Sequence, residues 1–425
     1  MKFSKSKLLS KVVKLIEVPD DLEAVTHFNP ADEIEPKFLG MTDEDKDAIW
    51  SAVEMLYKSG VYPGISFCLR RHGEIVLNRS IGHAQGNGPD DDEDLRKVPM
   101  TPETPACLFS ASKAITAMMV HLLDERGEIN LLNPVAHYLP DFAQNGKQYI
   151  TIQQLLNHRA GIPAIGKVPP EALFDYTKIL NLLYAAAPNK NRKRLDYHAV
   201  TAGFILGELV RVVSGKDIRE FLRENVQIPM GMKYFNYGCP PDQIKNVAVN
   251  YETGITNRGP INAFLESVVG ATMEEVMTLS NDPRFYEIIV PAANIMATAE
   301  ESSRFWDMLM SNGEYNGRKI FDPLTIQRAV LDTGGGLEFD RTLNAPMRYS
   351  AGFMLGANPV GLYGVNCGKA YGHIGLTNNM CWADPERAIS VSLLTTGNPV
   401  LGPHLPFLLW LITTISRRCS RVFQN

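Results

Sequence analysis

Between Phe109 and Met119 the chain reads FSASKAITAMM, a serine and a lysine three residues apart at the mouth of an apolar run. Residues at that spacing on a helix share a face, with Cβ atoms roughly 5–6 Å apart. A serine at a helix start also lies where unpaired backbone N–H groups collect. Ser110 and Lys113 therefore bring together a hydroxyl, an amine and donors able to receive an oxyanion. Phe109, Ala111, Ala114 and Ile115 make the setting apolar, and no carboxylate lies between Glu103 and Asp124 to hold an ammonium. A lysine so placed loses affinity for its proton and can act as a base. The spacing alone is weak. Ser4 and Lys7 satisfy it with no chemistry implied, and an N-cap serine beside a snorkelling lysine reads equally well.

Two distant segments complete a serine-acyl constellation. Asp196-Tyr197-His198-Ala199 precedes a long apolar helix, so Tyr197 can relay a proton at its mouth. Gly372-His373-Ile374-Gly375-Leu376 enters a strand whose glycines let the backbone approach a ligand closely, offering a second oxyanion donor and a polar His373 beside the substrate.

The rest of the chain sets bounds. Its 425 residues, 45% hydrophobic and 21% charged, suit an ordinary globular protein with ample core. A formal charge of −5 and the lack of a basic patch interleaved with aromatics exclude a nucleic-acid partner. Six scattered cysteines, with no CxxC pair and no histidine cluster, read as buried thiols of a reducing compartment, with no metal site. MKFSKSKLLSKVVKLI (1–16) carries five lysines and no acid but no signal-peptide core. Leu8, Leu9, Val12, Val13 and Ile16 form one helical stripe, which either packs on the body or rests peripherally on an anionic membrane. LPFLLWLITTI, 11 residues near the C-terminus, is too short to span a bilayer and reads as a terminal core helix. These signals point to a cytoplasmic location.

Residues 17–40 are acidic and contain prolines, as a linker or strap does, and a helix capped by Thr42 is expected to run to about Lys58. A hairpin turns at His72-Gly73, and the five acids of 90–94 form a solvated loop. A helix runs from Ser112 to Arg126 and stops at Gly127. Helical segments follow over 151–158, 199–215, 217–225, 296–312 and 323–331, then β-rich runs over 349–356, 370–375, 379–384 and 388–397. This order predicts an α+β fold, an antiparallel sheet assembled from both ends of the chain, flanked by helices, with a mostly helical lobe between. Residues 1–40 are expected to be an extension. Residues 41–425 would be one catalytic domain, its α/β lobe at roughly 41–107 and 290–425 and its helical lobe at roughly 108–289.

VYPGISFCLRRHGEIV, LFSASKAITAMMVHLLDERGEINLLNPVAHYLPDF, TIQQLLNHRAGIP, the YHAVTAGF segment, PAANIMATAEESSRFW and YGHIGLTNNMCWADPE follow in this order. Together they resemble the serine β-lactamase and penicillin-binding-protein superfamily over about residues 45–400, closest to class C β-lactamases and family VIII carboxylesterases. The resemblance implies a β-lactamase/transpeptidase-like fold with its active site between the lobes. It makes Ser110 the nucleophile, Lys113 its base and Tyr197 a general acid/base. The oxyanion hole would be the N–H groups of Ser110 and Leu376, with His373-Ile374-Gly375 in the place of the lactamase Lys-Thr-Gly. No cofactor is implied.

Two departures choose among reactions. Ala199 stands where the lactamases of the family have the asparagine of Tyr-x-Asn, and His373, only partly charged near neutral pH, replaces the lysine that attracts a β-lactam carboxylate. Both favour an ester hydrolase acting on a small-molecule ester. An acyltransferase of the same fold, a β-lactamase or D-amino-acid peptidase, and a non-catalytic scaffold remain as competitors.

Overall fold

The computed structural model describes residues 13–164, 170–189, 194–255, 259, 266, 270–399 and 402–422. Its centre is an eight-stranded antiparallel sheet. The principal strands are β1 (Thr26–Phe28), β2 (Gly64–Arg71), β3 (Glu74–Gln85), β4 (Met354–Leu355), β5 (Tyr371–Ile374), β6 (Met380–Asp384) and β7 (Ile389–Thr395), in the spatial order β4-β5-β6-β7-β2-β3-β1. The β7–β2 pairing, Ile389 against Arg71 through Thr395 against Ile65, joins the two ends of the chain, as the sequence pattern predicts. The β2–β3 turn places His72 and Gly73 at φ of 52° and 86°, the two positive values that a tight hairpin turn requires.

Successive side chains of a strand point to opposite faces, and here both faces are covered. Phe67, Leu69, Trp382, Val391 and Leu393 enter one apolar core, which the helix α1 (Asp43–Lys58) and the C-terminal helix share. Cys68, Cys381 and Leu394 face the other, under the helix Ala299–Met310. Small polar side chains let that helix lie close: Ser392 donates to the Ser302 hydroxyl at 2.8 Å, and Ser303 to the Cys68 thiol at 3.1 Å. α1 starts where Thr42 and Asp45 form a reciprocal capping box.

The described part of the N-terminal segment departs from the expected linker. Thr26–Phe28 pairs with Ile81–Arg79 as an edge strand, and Ile16, Leu22 and Leu39 are buried in the core beside α1. Three residues, THF, carry that strand, too few to read as one among acids and prolines. Val13 and Lys14 form a short strand against Gly254 and Ile255, and Leu15 and Ile16 are not helical, where the sequence predicts helix; residues 1–12 of that predicted helix lie outside the described residues. The C-terminal helix, Leu405–Arg418, is only half a core helix: Leu411, Ile412 and Ile415 are buried, but Leu409 and Trp410 are exposed. Among the described residues no helix is long and apolar enough to cross a membrane. All six cysteines are free and buried.

Trp382 stacks on Tyr363 with ring centroids 5.5 Å apart at the centre of the first core. Trp382→Ala is expected to lower unfolding free energy by about 3–5 kcal/mol, read from the midpoint of a urea titration.

Candidate active site

Ser110 lies in a 3₁₀ turn, Phe109–Ala111, that feeds the helix α2 (Ser112–Glu125). No side chain caps either N-terminus, so Ser110 is not a helix cap. Phe109 sits at φ 46°, a left-handed conformation a bulky residue rarely adopts. Residue Ile295 holds the turn at both ends: its carbonyl accepts from the Leu108 N–H at 2.8 Å, and its N–H donates to the Ser112 hydroxyl at 3.1 Å.

Lys113 extends from the first turn of α2. Its Nζ is 2.9 Å from Ser110 Oγ and 3.0 Å from the carbonyl of Ala292, and the side chain is buried. Burial lowers its pKa from 10.5 to about 7. The Ala292 carbonyl is brought there by two glycines on the helix α3 (Thr201–Ser214). A Cβ on Gly203 would meet the Ala292 N and Cβ at 2.7 Å, and one on Gly207 would meet Pro291 Cγ at 2.6 Å. Only bare backbone permits that approach.

Tyr197 closes the other side. Its buried ring lies 5.2 Å from Lys113 Nζ. Burial pushes the phenol pKa up, and a hydrogen bond with Ser110 opposes that shift, so the serine hydroxyl stands between amine and phenol. The segment carrying Tyr197 is zipped to residues 158–162. The Asp196 N–H donates to the His158 carbonyl at 3.1 Å, the His198 N–H to His158 Nδ1 at 3.2 Å, and the Ile162 N–H to His198 Nε2 at 3.1 Å. The His158 ring packs 4.7 Å from that of Tyr197 and 4.9 Å from that of Tyr349.

His373 faces the same centre from β5, its ring 6.2 Å from Tyr197. Its Nδ1 lies 2.8 Å from the carbonyl of Ile374, which can only accept, so Nδ1 carries the proton. Nε2 is then a bare acceptor, buried and without a partner among the described residues. Burial lowers the pKa to about 3, with the Lys113 charge acting in the same direction. The expectation of a partly charged imidazole is corrected: His373 is neutral, because the fold buries it.

Beyond His373 the strand bends onto the nucleophile's own segment. A Cβ on Gly375 would meet the carbonyl of Leu108 at 2.5 Å, and Asn379 Nδ2 donates to the Cys107 carbonyl at 2.7 Å. The turn closed by Asn378 N–H on the Gly375 carbonyl, 3.2 Å, leaves the Leu376 N–H outside its own bond. The outer strand β4 pairs only with Tyr371 and Gly372, so among the described residues no strand pairs with His373 and Ile374 on that edge. All six residues singled out from sequence thus fall around one centre. Ala199 is buried beside Tyr197 among Leu195, Met347, Tyr349 and Met354, and carries no amide into the site.

Residues that no motif announced complete the surround. Asp340, from the hairpin Glu338–Asp340/Ala345–Met347, accepts the Tyr197 N–H at 3.2 Å and the Tyr349 hydroxyl at 3.1 Å. His158, within the TIQQLLNHRAGIP stretch, joins the site at a φ of 61°, a signal only the structure gives. Among the described residues no group of three His, Cys, Asp or Glu is arranged to hold a metal ion.

Comparison with known proteins gives the family and the fold. The beta-lactamase family model matches residues 47–411. The Esterase/beta-lactamase LipL of Mycobacterium tuberculosis is 28% identical over 330 residues, 72% of each chain. A penicillin-binding-protein homolog from Caulobacter crescentus superposes with a TM-score of 0.74 at 26% identity, covering 88% of this chain and 97% of its own. A family VIII carboxylesterase does so with a TM-score of 0.73, at the same identity and coverage. A family match spanning most of the chain, on a fold shared with penicillin-binding-protein and esterase structures, establishes that this chain belongs to the beta-lactamase family and is a serine hydrolase.

Proposed function

We propose that the protein hydrolyses carboxylic esters through an acyl-enzyme on Ser110, with Lys113 as base and Tyr197 as proton relay. The observation that carries this reading is the buried Lys113 amine, 2.9 Å from Ser110 Oγ, with its pKa lowered to about 7. As a neutral amine it has a lone pair for the Ser110 proton while an N–H stays on the Ala292 carbonyl. The serine oxygen then attacks the ester carbonyl as its proton passes to Nζ. The C–O bond to serine forms, and the carbonyl electrons move to an oxyanion received by the N–H groups of Ser110 and Leu376. Collapse breaks the bond to the alcohol, whose oxygen takes the proton from Lys113 through the Tyr197 hydroxyl. Water, giving its proton back along the same route, cleaves the acyl-serine to free acid.

Two features favour esters over anionic amide-bearing substrates. A neutral His373 offers an acceptor where a β-lactam carboxylate needs a cation, and Ala199 supplies no amide for an acylamino side chain. The esterase and carboxylesterase names among the relatives point the same way.

Ser110→Ala is expected to retain the wild-type melting curve while lowering turnover of a short p-nitrophenyl ester by at least about 10³-fold; near-wild-type turnover would remove Ser110 as nucleophile. With matched neutral and carboxylate-bearing esters, kcat/KM is expected to favour the neutral one by at least about tenfold. His373→Lys is expected to narrow that ratio, since a cation then faces the substrate anion.

A further inference from the structure

Asp340 is fully buried, yet among the described residues no cation pairs with it. An unpaired buried carboxylate is costly unless hydrogen bonds satisfy it. Here four do. Oδ1 accepts the N–H groups of Tyr197 at 3.2 Å, Thr342 at 2.9 Å and Leu343 at 3.0 Å, and Oδ2 lies 3.1 Å from the Tyr349 hydroxyl. Three of these four groups are peptide N–H donors that cannot accept. Burial raises the pKa of this carboxyl, and the three peptide N–H groups and the Tyr349 hydroxyl act against that shift by stabilising the charged form. Thr342 and Leu343 belong to its own hairpin, and the Arg341 N–H donates to the Leu195 carbonyl at 3.2 Å. The hairpin is thus fastened to the loop bearing Tyr197 at two points.

From this arrangement we propose that Asp340 is a positioning residue for the reaction, a buried anion that fixes the Tyr197 backbone and keeps its phenol a proton donor. The role rests on the ester-hydrolase reading above, in which that phenol hands a proton to the leaving alcohol. A negative charge beneath a phenol opposes a second negative charge on it, so Asp340 acts in the same upward direction as burial, the larger cause. The other groups facing Tyr197 are Ser110 and Lys113 from the α2 region, His158 from the segment before Gly161, His373 from β5, and Tyr349 through His158. Asp196 and His198 flank it in its own segment, Asp196 being 3.8 Å from Arg194. Burial holds both His158 and His373 neutral, so among the described residues facing the ring Lys113, in its protonated state, is the cation. The device leaves a basic amine and a protonated phenol side by side, with the serine hydroxyl between them.

Asp340→Asn tests the charge while keeping the shape: the amide oxygen still takes the three N–H groups, and the Tyr349 hydroxyl turns to accept from the amide nitrogen. The expected result, with a neutral p-nitrophenyl ester, is an alkaline limb of kcat/KM that begins about one pH unit or more below that of the wild type. Tyr349→Phe, which removes one hydrogen bond and leaves the charge, is expected to keep the wild-type limb. A uniform loss at every pH, or identical profiles in wild type and Asp340→Asn, overturns the proposal and leaves Asp340 a structural residue. Should Asp340→Asn not fold, Asp340→Ser, which also removes the charge, takes its place: the same earlier alkaline limb supports the proposal, and a wild-type limb overturns it. Failure of the ester-hydrolase reading itself would show separately, as wild-type protein that neither turns over esters nor reacts with a fluorophosphonate at Ser110.

Discussion

The structure is organised around taking one amine out of water. Lys113 reaches a site where its polar neighbours are a serine hydroxyl and a peptide carbonyl, and where burial alone lowers its affinity for a proton. A carboxylate in contact would undo this by stabilising the ammonium. Among the described residues none is in contact: in the first turns of α2 the neighbours are serine, alanine, isoleucine and threonine, and Asp340 sits behind Tyr197 bound to peptide N–H groups. The cost of burying an amine is borne by the apolar packing around it, which continues without a break from Leu108 through the buried face of α2 to Phe204 and Ile205 of α3.

Delivering the Ala292 carbonyl to Nζ and the Gly375 backbone to the Leu108 carbonyl requires elements to approach closer than any side chain allows. The chain meets the requirement with Gly203, Gly207 and Gly375. The same logic operates under the sheet, where Cys68, Cys381 and Ser392 give the helix Ala299–Met310 a low surface to rest on. The sheet in turn sets the height of β5, and with it the position of His373 and the turn at Leu376 relative to Ser110.

Much of this was legible in the sequence because the signals are local. Three-residue spacing fixes Ser110 against Lys113, and the Thr42 cap, the His72-Gly73 turn and the Gly127 stop are each carried by adjacent residues. Tyr197 and His373 were found through short motifs whose neighbours match a family, not through any periodicity. Asp340 has no such neighbours. It stands 143 residues from Tyr197 in an unremarkable EFD triplet, and its importance comes from which N–H groups it meets in three dimensions. The neutrality of His373 was likewise hidden, since an imidazole's charge follows from burial and from the carbonyl its Nδ1 finds. Thr26–Phe28 was missed for a different reason: a three-residue edge strand is too short to show alternation, and the acids and prolines around it read as loop.

The central claim, that a buried neutral amine activates Ser110, is tested most directly by the pH dependence of Ser110 phosphonylation by a small neutral fluorophosphonate. That reaction isolates attack by the serine from the later steps. The account predicts a second-order rate that is low in acid, where Lys113 holds its proton, and rises through a single ionisation near pH 7, where burial places the amine. A rate that does not change from pH 5 to pH 9, or one that rises only near the ordinary lysine value of about 10.4, would contradict it.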